Sequence, residues 1–347
     1  MFSRHPFYKI ILPIVLLIIV SSIPIAHADS EFLNPNNDKA IISADAAAVL
    51  RSENVYFEKV SSRTYANCLL LYCVGLIDNT VSIPNTFDDS LHINKNLDCF
   101  SYLEILSDEQ NYIDSNIAAH VTKTKAYRSD CYVVDIFLRD ITKLKTAFSD
   151  GVYNSKKRTS VLDLSMQNNA YAAITGDFYV LNARGSIVRN GIKYTNKNAV
   201  SSSRDILVLK KDSGSFDIYE KGSLKIDQFL EDENIWQMWV FGPTLLDPDG
   251  NVKTSFHITP TLEGKNPRVA IGYYEPGHYC FVTVDGRKSF SKGMRLTELS
   301  KFMKQLGCVS AYNLDGGKSA CMVFMDSVVN RPSSGGRDVS DIVYIGD

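Results

Sequence analysis

Two apolar runs of strand character, residues 279–284 and 309–314, each end in an aspartate that glycine follows at once: Asp285-Gly286-Arg287 and Asp315-Gly316-Gly317-Lys318-Ser319. Between them Leu296, Leu299, Phe302, Met303 and Leu306 recur at helical intervals, and Gly307 supplies the stop. A strand-helix-strand unit with parallel strands needs a right-handed crossover, which delivers both carboxyl ends to one edge. On neighbouring strands Asp285 and Asp315 would emerge side by side, with Arg287 and Lys318 close at hand. Acids mixed with cations at an open strand edge point to hydrolysis of an anionic substrate.

The remainder of the chain is β-rich from residue 132 onward. Residues 132–138 and 170–175 read as strands, the second ending at Gly176-Asp177, and Asp140 is placed to cap a short helix through Phe148. Asn190-Gly191 sits between Ile187-Val188 and residues 192–194, a hairpin signal, and Asp212-Ser213-Gly214 separates strands over 206–210 and 216–219. Residues 236–241 continue the strand character until Gly242-Pro243 breaks it. Short strands over 320–324 and 328–329 follow the second aspartate. The expected class is α+β, a mixed, largely antiparallel sheet flanked by helices, with a C-terminal strand-helix-strand unit. At 347 residues, 45% hydrophobic and −2 in net charge, the chain can bury a large core and is no basic nucleic-acid coat.

The N-terminus has the pattern of an export signal. Arg4, His5 and Lys9 precede an apolar run over 10–20, and Ala26-His27-Ala28 offers small residues at a cleavage point. The run is short for a membrane span, so residues 1–28 read as a cleaved signal peptide in preference to an uncleaved anchor. The expected location is therefore secreted or cell-surface, with membrane contact only through that segment if it is retained. Residues 29–124 are polar and weakly periodic and read as a variable, partly helical region. Seven cysteines, at 68, 73, 99, 131, 280, 308 and 321, permit disulfides outside the cytoplasm but leave one over. Cys280 and Cys321 lie in apolar runs and read as small buried hydrophobes. No Cys-x-x-Cys and no metal-ligand spacing of the histidines supports a zinc site.

Asp177, Asp285 and Asp315 share one context, an apolar run, then a carboxylate with glycine beside it. A single such aspartate would be turn chemistry; three of them read as a catalytic set. Arg268 follows Asn266-Pro267, and Arg337 follows Gly335-Gly336, so both leave rigid turns suited to gripping a phosphate or carboxylate. Lys318 follows a diglycine whose N–H groups can also face an anion. The spacing is not that of a P-loop, and Ser319 lacks a G-x-S-x-G elbow, so it reads as a hydrogen-bond donor to substrate or a turn cap.

Six segments occur in a fixed order: Ala173-Ile174-Thr175-Gly176-Asp177-Phe178-Tyr179, Phe241-Gly242-Pro243-Thr244-Leu245, Asn266-Pro267-Arg268-Val269-Ala270-Ile271-Gly272, Val284-Asp285-Gly286-Arg287, Asn313-Leu314-Asp315-Gly316-Gly317 and Val329-Asn330-Arg331-Pro332. Together they resemble the phosphodiester glycosidase family, over residues 125–347, and look closest to exported members from Gram-positive bacteria. Two positions depart from that family's usual pattern, Thr175 in place of Asn and Lys318 in place of Gly or Gln.

The resemblance implies cleavage between a sugar's anomeric carbon and a phosphate oxygen. That reaction needs a carboxylate to activate water or attack the ring, and cations to steady a leaving group that stays anionic. Asp315 takes the base or nucleophile role in this reading, with Asp285 orienting water or a sugar hydroxyl and Asp177 completing the catalytic set. Arg268, Arg287, Lys318 and Arg337 would hold phosphate, with Thr175 and Ser319 offering hydroxyls. Asn313 would bond sugar, and Gly316 and Gly317 would allow close backbone approach. The partner is a glycan or sugar-phosphodiester, with no nucleic acid. No cofactor is expected, although Asp177 and Asp315 would suit Ca²⁺ or Mg²⁺ if an ion were bound. The rival class is a non-catalytic surface module that binds a glycan or teichoic-acid-like polymer; a phosphomonoesterase and a structural envelope protein are further alternatives.

Overall fold

The computed structural model describes residues 87–88, 93–94, 106–114, 116–179, 186–194, 204–256 and 260–346. All of these fall in one unit, Thr86–Lys95 with Tyr102–Asp347. The expected signal peptide, most of the polar region and cysteines 68, 73 and 99 lie outside the described residues.

In chain order the strands are β1 (Phe87–Asp88), β2 (Ile93–Asn94), β3 (Leu106–Ser107), β4 (Asn111–Ile113), β5 (Ile117–Ala126), β6 (Ser129–Leu138), β7 (Leu144–Phe148), β8 (Ala170–Thr175), β9 (Ile187–Arg189) and β10 (Ile192–Tyr194). They continue with β11 (Ile206–Lys210), β12 (Phe216–Tyr219), β13 (Ile235–Trp239), β14 (Arg268–Glu275), β15 (His278–Val284), β16 (Ser310–Leu314), β17 (Met322–Phe324), β18 (Ser327–Val328) and β19 (Asp341–Gly346). Among the described residues helices are few: α1 (Val161–Gln167), α2 (Ile226–Glu231), α3 (Pro260–Glu263) and α4 (Leu296–Gln305). The protein is α+β and dominated by antiparallel sheet, as its hairpin signals and alternating apolar runs predict.

Besides the short β1-β2 pair, the strands form a seven-stranded sheet, β16-β14-β15-β6-β5-β4-β3, and two five-stranded sheets, β18-β17-β8-β19-β7 and β10-β9-β13-β11-β12. One face of the seven-stranded sheet (Val134, Ile136, Val269, Ile271, Phe281, Tyr312, Leu314) meets Ala172, Ile174, Val343 and Ile345 of the second sheet and Leu207 and Trp239 of the third. Its other face (Cys131, Val133, Ala270, Cys280, Val282) packs against Leu296, Leu299, Phe302 and Met303 of α4. Covered on both sides, β6 is buried along its whole length, and its apolar run is interrupted by Asp135, which bonds His278 of β15 at 2.8 Å.

Two expectations need correction. The helix expected from Asp140 through Phe148 is a single tight turn, Ile141–Lys143, in which Asp140 accepts the Thr142 N–H at 2.8 Å. The chain then becomes β7, where Leu144, Thr146 and Phe148 are buried alternately, so the period of two prevails. In addition, β15 and β16 are not neighbours. The crossover through α4 skips one position, and β14 fills the gap, antiparallel to both. The two strands therefore run in the same direction, and their carboxyl ends share an edge about 10 Å apart, two strand spacings.

Candidate active site

That shared edge gathers most of the predicted residues. Asp285 directly follows β15, Asp315 directly follows β16, and Arg268 opens β14 between them. From the second sheet, the end of β8 reaches across, and the Asp315 N–H donates to the Gly176 carbonyl at 3.0 Å.

Asp315 is the acid nearest solvent. Its side chain is 10% exposed and its Oδ2 lies 3.4 Å from Nη2 of Arg337, whose side chain is 47% exposed. Arg337 Nε donates to Ser319 Oγ at 2.6 Å. Burial raises the Asp315 carboxyl above the ordinary carboxylate range, against the opposing pull of Ser319 and the Arg337 charge. Thr175 Oγ1 donates to the Ser319 carbonyl at 2.5 Å, so its hydroxyl serves the turn. Arg287 stands exposed beside it, in a left-handed backbone conformation (φ 60°), with Nη2 donating to Asn266 Oδ1 at 2.8 Å. Lys318 is exposed on the same turn.

Gly316 and Gly317 allow close approach, but to the chain itself. A Cβ on Gly316 would lie 2.7 Å from the Pro267 carbonyl oxygen, which already accepts the Gly317 N–H at 2.9 Å. The 316–319 turn is thereby pinned to the segment leading into β14, which fixes the direction in which Asp315 leaves its strand.

The other predicted residues have different surroundings. Asp285 is buried and accepts Asn330 Nδ2 at 2.9 Å and the Arg331 N–H at 3.1 Å to each oxygen. Burial raises its pKa, and those two donors oppose the rise. Arg268 is buried, with Nε on the Met294 carbonyl (2.8 Å) and Nη2 on those of Leu262 (2.7 Å) and Gly264 (3.0 Å). Burial, together with the nearby Arg287 charge, lowers its pKa to about 10. Its guanidinium organises the loops around the edge. Asn313 donates to the Gly242 carbonyl at 2.8 Å, and its buried Oδ1 has no hydrogen-bond partner among the described residues.

Asp177 belongs to a buried ion triad. Arg189 Nη2 lies 2.7 Å from Asp177 Oδ1 and 3.1 Å from Asp341 Oδ2, and the second Asp177 oxygen accepts the Val240 N–H at 2.8 Å. Both Asp177 oxygens are engaged there, away from Asp315. Among the described residues no three His, Cys, Asp or Glu side chains converge as metal ligands.

Residues outside the predicted set complete the edge. Asn330 and Arg331, which clamp Asp285, stand in one of the six ordered segments, as does Phe178, whose φ is 46° and whose ring lies 5.9 Å from the guanidinium carbons of both Arg158 and Arg337. That segment was the available signal. Arg189 and Asp341 had none, being separated by most of the domain. A cavity of about 390 Å³, lined by Thr146, Phe148, Asn168, Arg189, Asn190 and Tyr194 among others, contains none of the predicted residues.

The β-dominated α+β fold thus presents, at one strand edge, a near-surface aspartate paired with Arg337, and its family supports a hydrolase-type function. The chain belongs to the phosphodiester glycosidase family, whose sequence profile matches residues 168–346, more than half of it. It is 26% identical over 252 residues to the SPbeta prophage-derived uncharacterized protein YomE of Bacillus subtilis strain 168, covering 70% of this chain and 38% of that protein. It is 22% identical over 199 residues to mouse N-acetylglucosamine-1-phosphodiester alpha-N-acetylglucosaminidase, covering 53% of this chain and 37% of that protein. The chain thus spans less than two fifths of the length of these curated relatives. The solved catalytic domain of the zebrafish N-acetylglucosamine-1-phosphodiester alpha-N-acetylglucosaminidase, auto-inhibited by its pro-peptide, shares the fold at a TM-score of 0.53 and 20% identity, covering 67% of this chain and 83% of that one.

Proposed function

We propose that this protein is an exported hydrolase that cleaves sugar-1-phosphodiester bonds in a cell-envelope or extracellular glycan. The observation that carries the reading is Asp315, the least buried of the three aspartates, paired with Arg337 and flanked by the exposed Arg287 and Lys318. Water, activated by Asp315 or admitted after its attack on the ring, supplies the new hydroxyl at C1. The C1–O bond breaks, and the aglycone leaves as a phosphate monoester. Arg337, Arg287 and Lys318 stabilise the charge on that phosphate. Asp285 holds the Asn330-Arg331 turn through the bonds above and so positions the edge, and Arg268 supports it from behind. Family membership supports the reaction class; the N-terminal charge and apolar pattern supports export.

Incubating the purified chain with a panel of glycosyl-1-phosphodiesters, followed by NMR, tests the reading. Free sugar and a phosphate monoester are expected from at least one member. Tight glycan binding without product, or hydrolysis of phosphate monoesters instead, would overturn it.

A second expectation concerns pH. Asp315 must be ionised to act as base or nucleophile, so kcat/KM rises as pH climbs through its pKa. Arg337 holds that pKa down against burial. Arg337→Gln should therefore move the acid limb of the pH profile upward. An unmoved limb, or one shifted downward, would separate Arg337 from Asp315.

A further inference from the structure

Cys280 and Cys308 bring their Sγ atoms to 3.7 Å in the core between the seven-stranded sheet and α4. Cys280 lies within β15, and Cys308 follows α4, two residues before β16. Since β14 separates those strands, the two side chains meet across its backbone, and the residue beneath them is Gly272, the register partner of both Cys280 and Ala311. A Cβ there would stand 2.6 Å from Cys308 Sγ, 2.7 Å from Cys280 Sγ and 2.7 Å from Met303 Cε. Glycine at 272 makes the space in which the sulfurs meet.

We infer that Cys280 and Cys308 form a disulfide when the chain folds in an oxidising compartment. A bonded pair stands about 2.05 Å apart, so closing the 3.7 Å gap requires the two side chains, and the backbone that carries them, to draw together. The bond would enclose the crossover, with Asp285, Arg287 and α4 inside the loop and Asp315 just beyond it. Each thiol loses its proton and together they give up two electrons to an incoming disulfide, that of oxidised glutathione or a thiol–disulfide oxidoreductase, which leaves as two thiols. Both sulfurs are buried in the folded protein (0% and 1% exposed), so exchange takes place during folding, before α4 docks, and the finished bond is shielded from reductants.

The test is to refold the full chain in a glutathione redox buffer, alkylate it under denaturing, non-reducing conditions, and map the peptides by mass. A peptide joining Cys280 to Cys308, two hydrogens lighter than the separate reduced pair, is expected. The oxidised protein should melt roughly 5–10 °C above the same protein folded and kept reduced. A Cys280→Ala/Cys308→Ala variant should show no such dependence on redox history. Full alkylation of both thiols after oxidative refolding, or linkage of either to a different cysteine, would overturn the inference.

Discussion

Asp315→Asn is expected to lower turnover of a responsive glycosyl-1-phosphodiester by about 10³-fold or more, the range for loss of a positioned base or nucleophile. The substitution keeps size and shape, and the backbone bond from residue 315 to the Gly176 carbonyl does not depend on the side chain. Because burial already disfavours the ionised form, removing the charge should leave the melting temperature within a few degrees or raise it. Asp285→Asn provides the contrast. Its carboxylate accepts three hydrogen bonds from two donors, and an amide would turn an N–H toward one of them, so this change should lower stability as well as activity. Rates by NMR and thermal melts on both variants decide the matter. If Asp315→Asn retained near-normal turnover, the assignment of the reacting carboxylate would fail.

Local chemistry explains which parts of this protein could be read in advance. Asn190-Gly191 and Asp212-Ser213-Gly214 build the hairpins they signal, and the spacing of Leu296, Leu299, Phe302 and Met303 yields α4, because each pattern is satisfied by neighbours in sequence. The aspartates at strand ends were legible for the same reason. What no local pattern contains is the strand inserted between two others. The position of β14 separates Asp285 from Asp315 and is set by packing of the whole sheet. Nor could a local reading tell a phosphate-gripping arginine from one spent on carbonyl groups. Arg268 and Arg337 both follow turns, yet Arg268 is buried with its Nε and Nη2 spent on the carbonyls of Met294, Leu262 and Gly264, whereas Arg337 stands beside Asp315 with its side chain half in solvent. The triad of Asp177, Arg189 and Asp341 was least accessible of all, since its three members come from β19, the end of β9 and the turn after β8.

That triad carries the second large effect. Arg189→Met removes the cation shared by two buried carboxylates, and breaking a buried ion pair from one side costs about 3–5 kcal/mol. At roughly 2–4 °C per kcal/mol for a domain of this size, the melting temperature should fall by about 10–15 °C near neutral pH. The pH dependence identifies the cause. Burial, with the Asp177 charge added, pushes Asp341 up to about 7 from an ordinary value of 3.8, while Arg189 works against the rise. The folded state therefore holds a proton that the unfolded chain has released between those values, and this group's contribution to stability declines as pH rises from about 4 to 7. Without Arg189 the carboxyl should titrate higher still, so the decline extends above pH 7 and the variant's deficit is greatest in mild alkali. Lowering the pH to about 5 protonates the orphaned Asp341 and should recover part of the loss. A deficit that stayed constant with pH would mean that the missing side chain was felt through packing alone. Gly176, joined to Asp177 in sequence and to the Asp315 N–H by its carbonyl, makes the triad the anchor of the turn from which the reacting carboxylate is held, so the same variant should also lose turnover at temperatures where it remains folded.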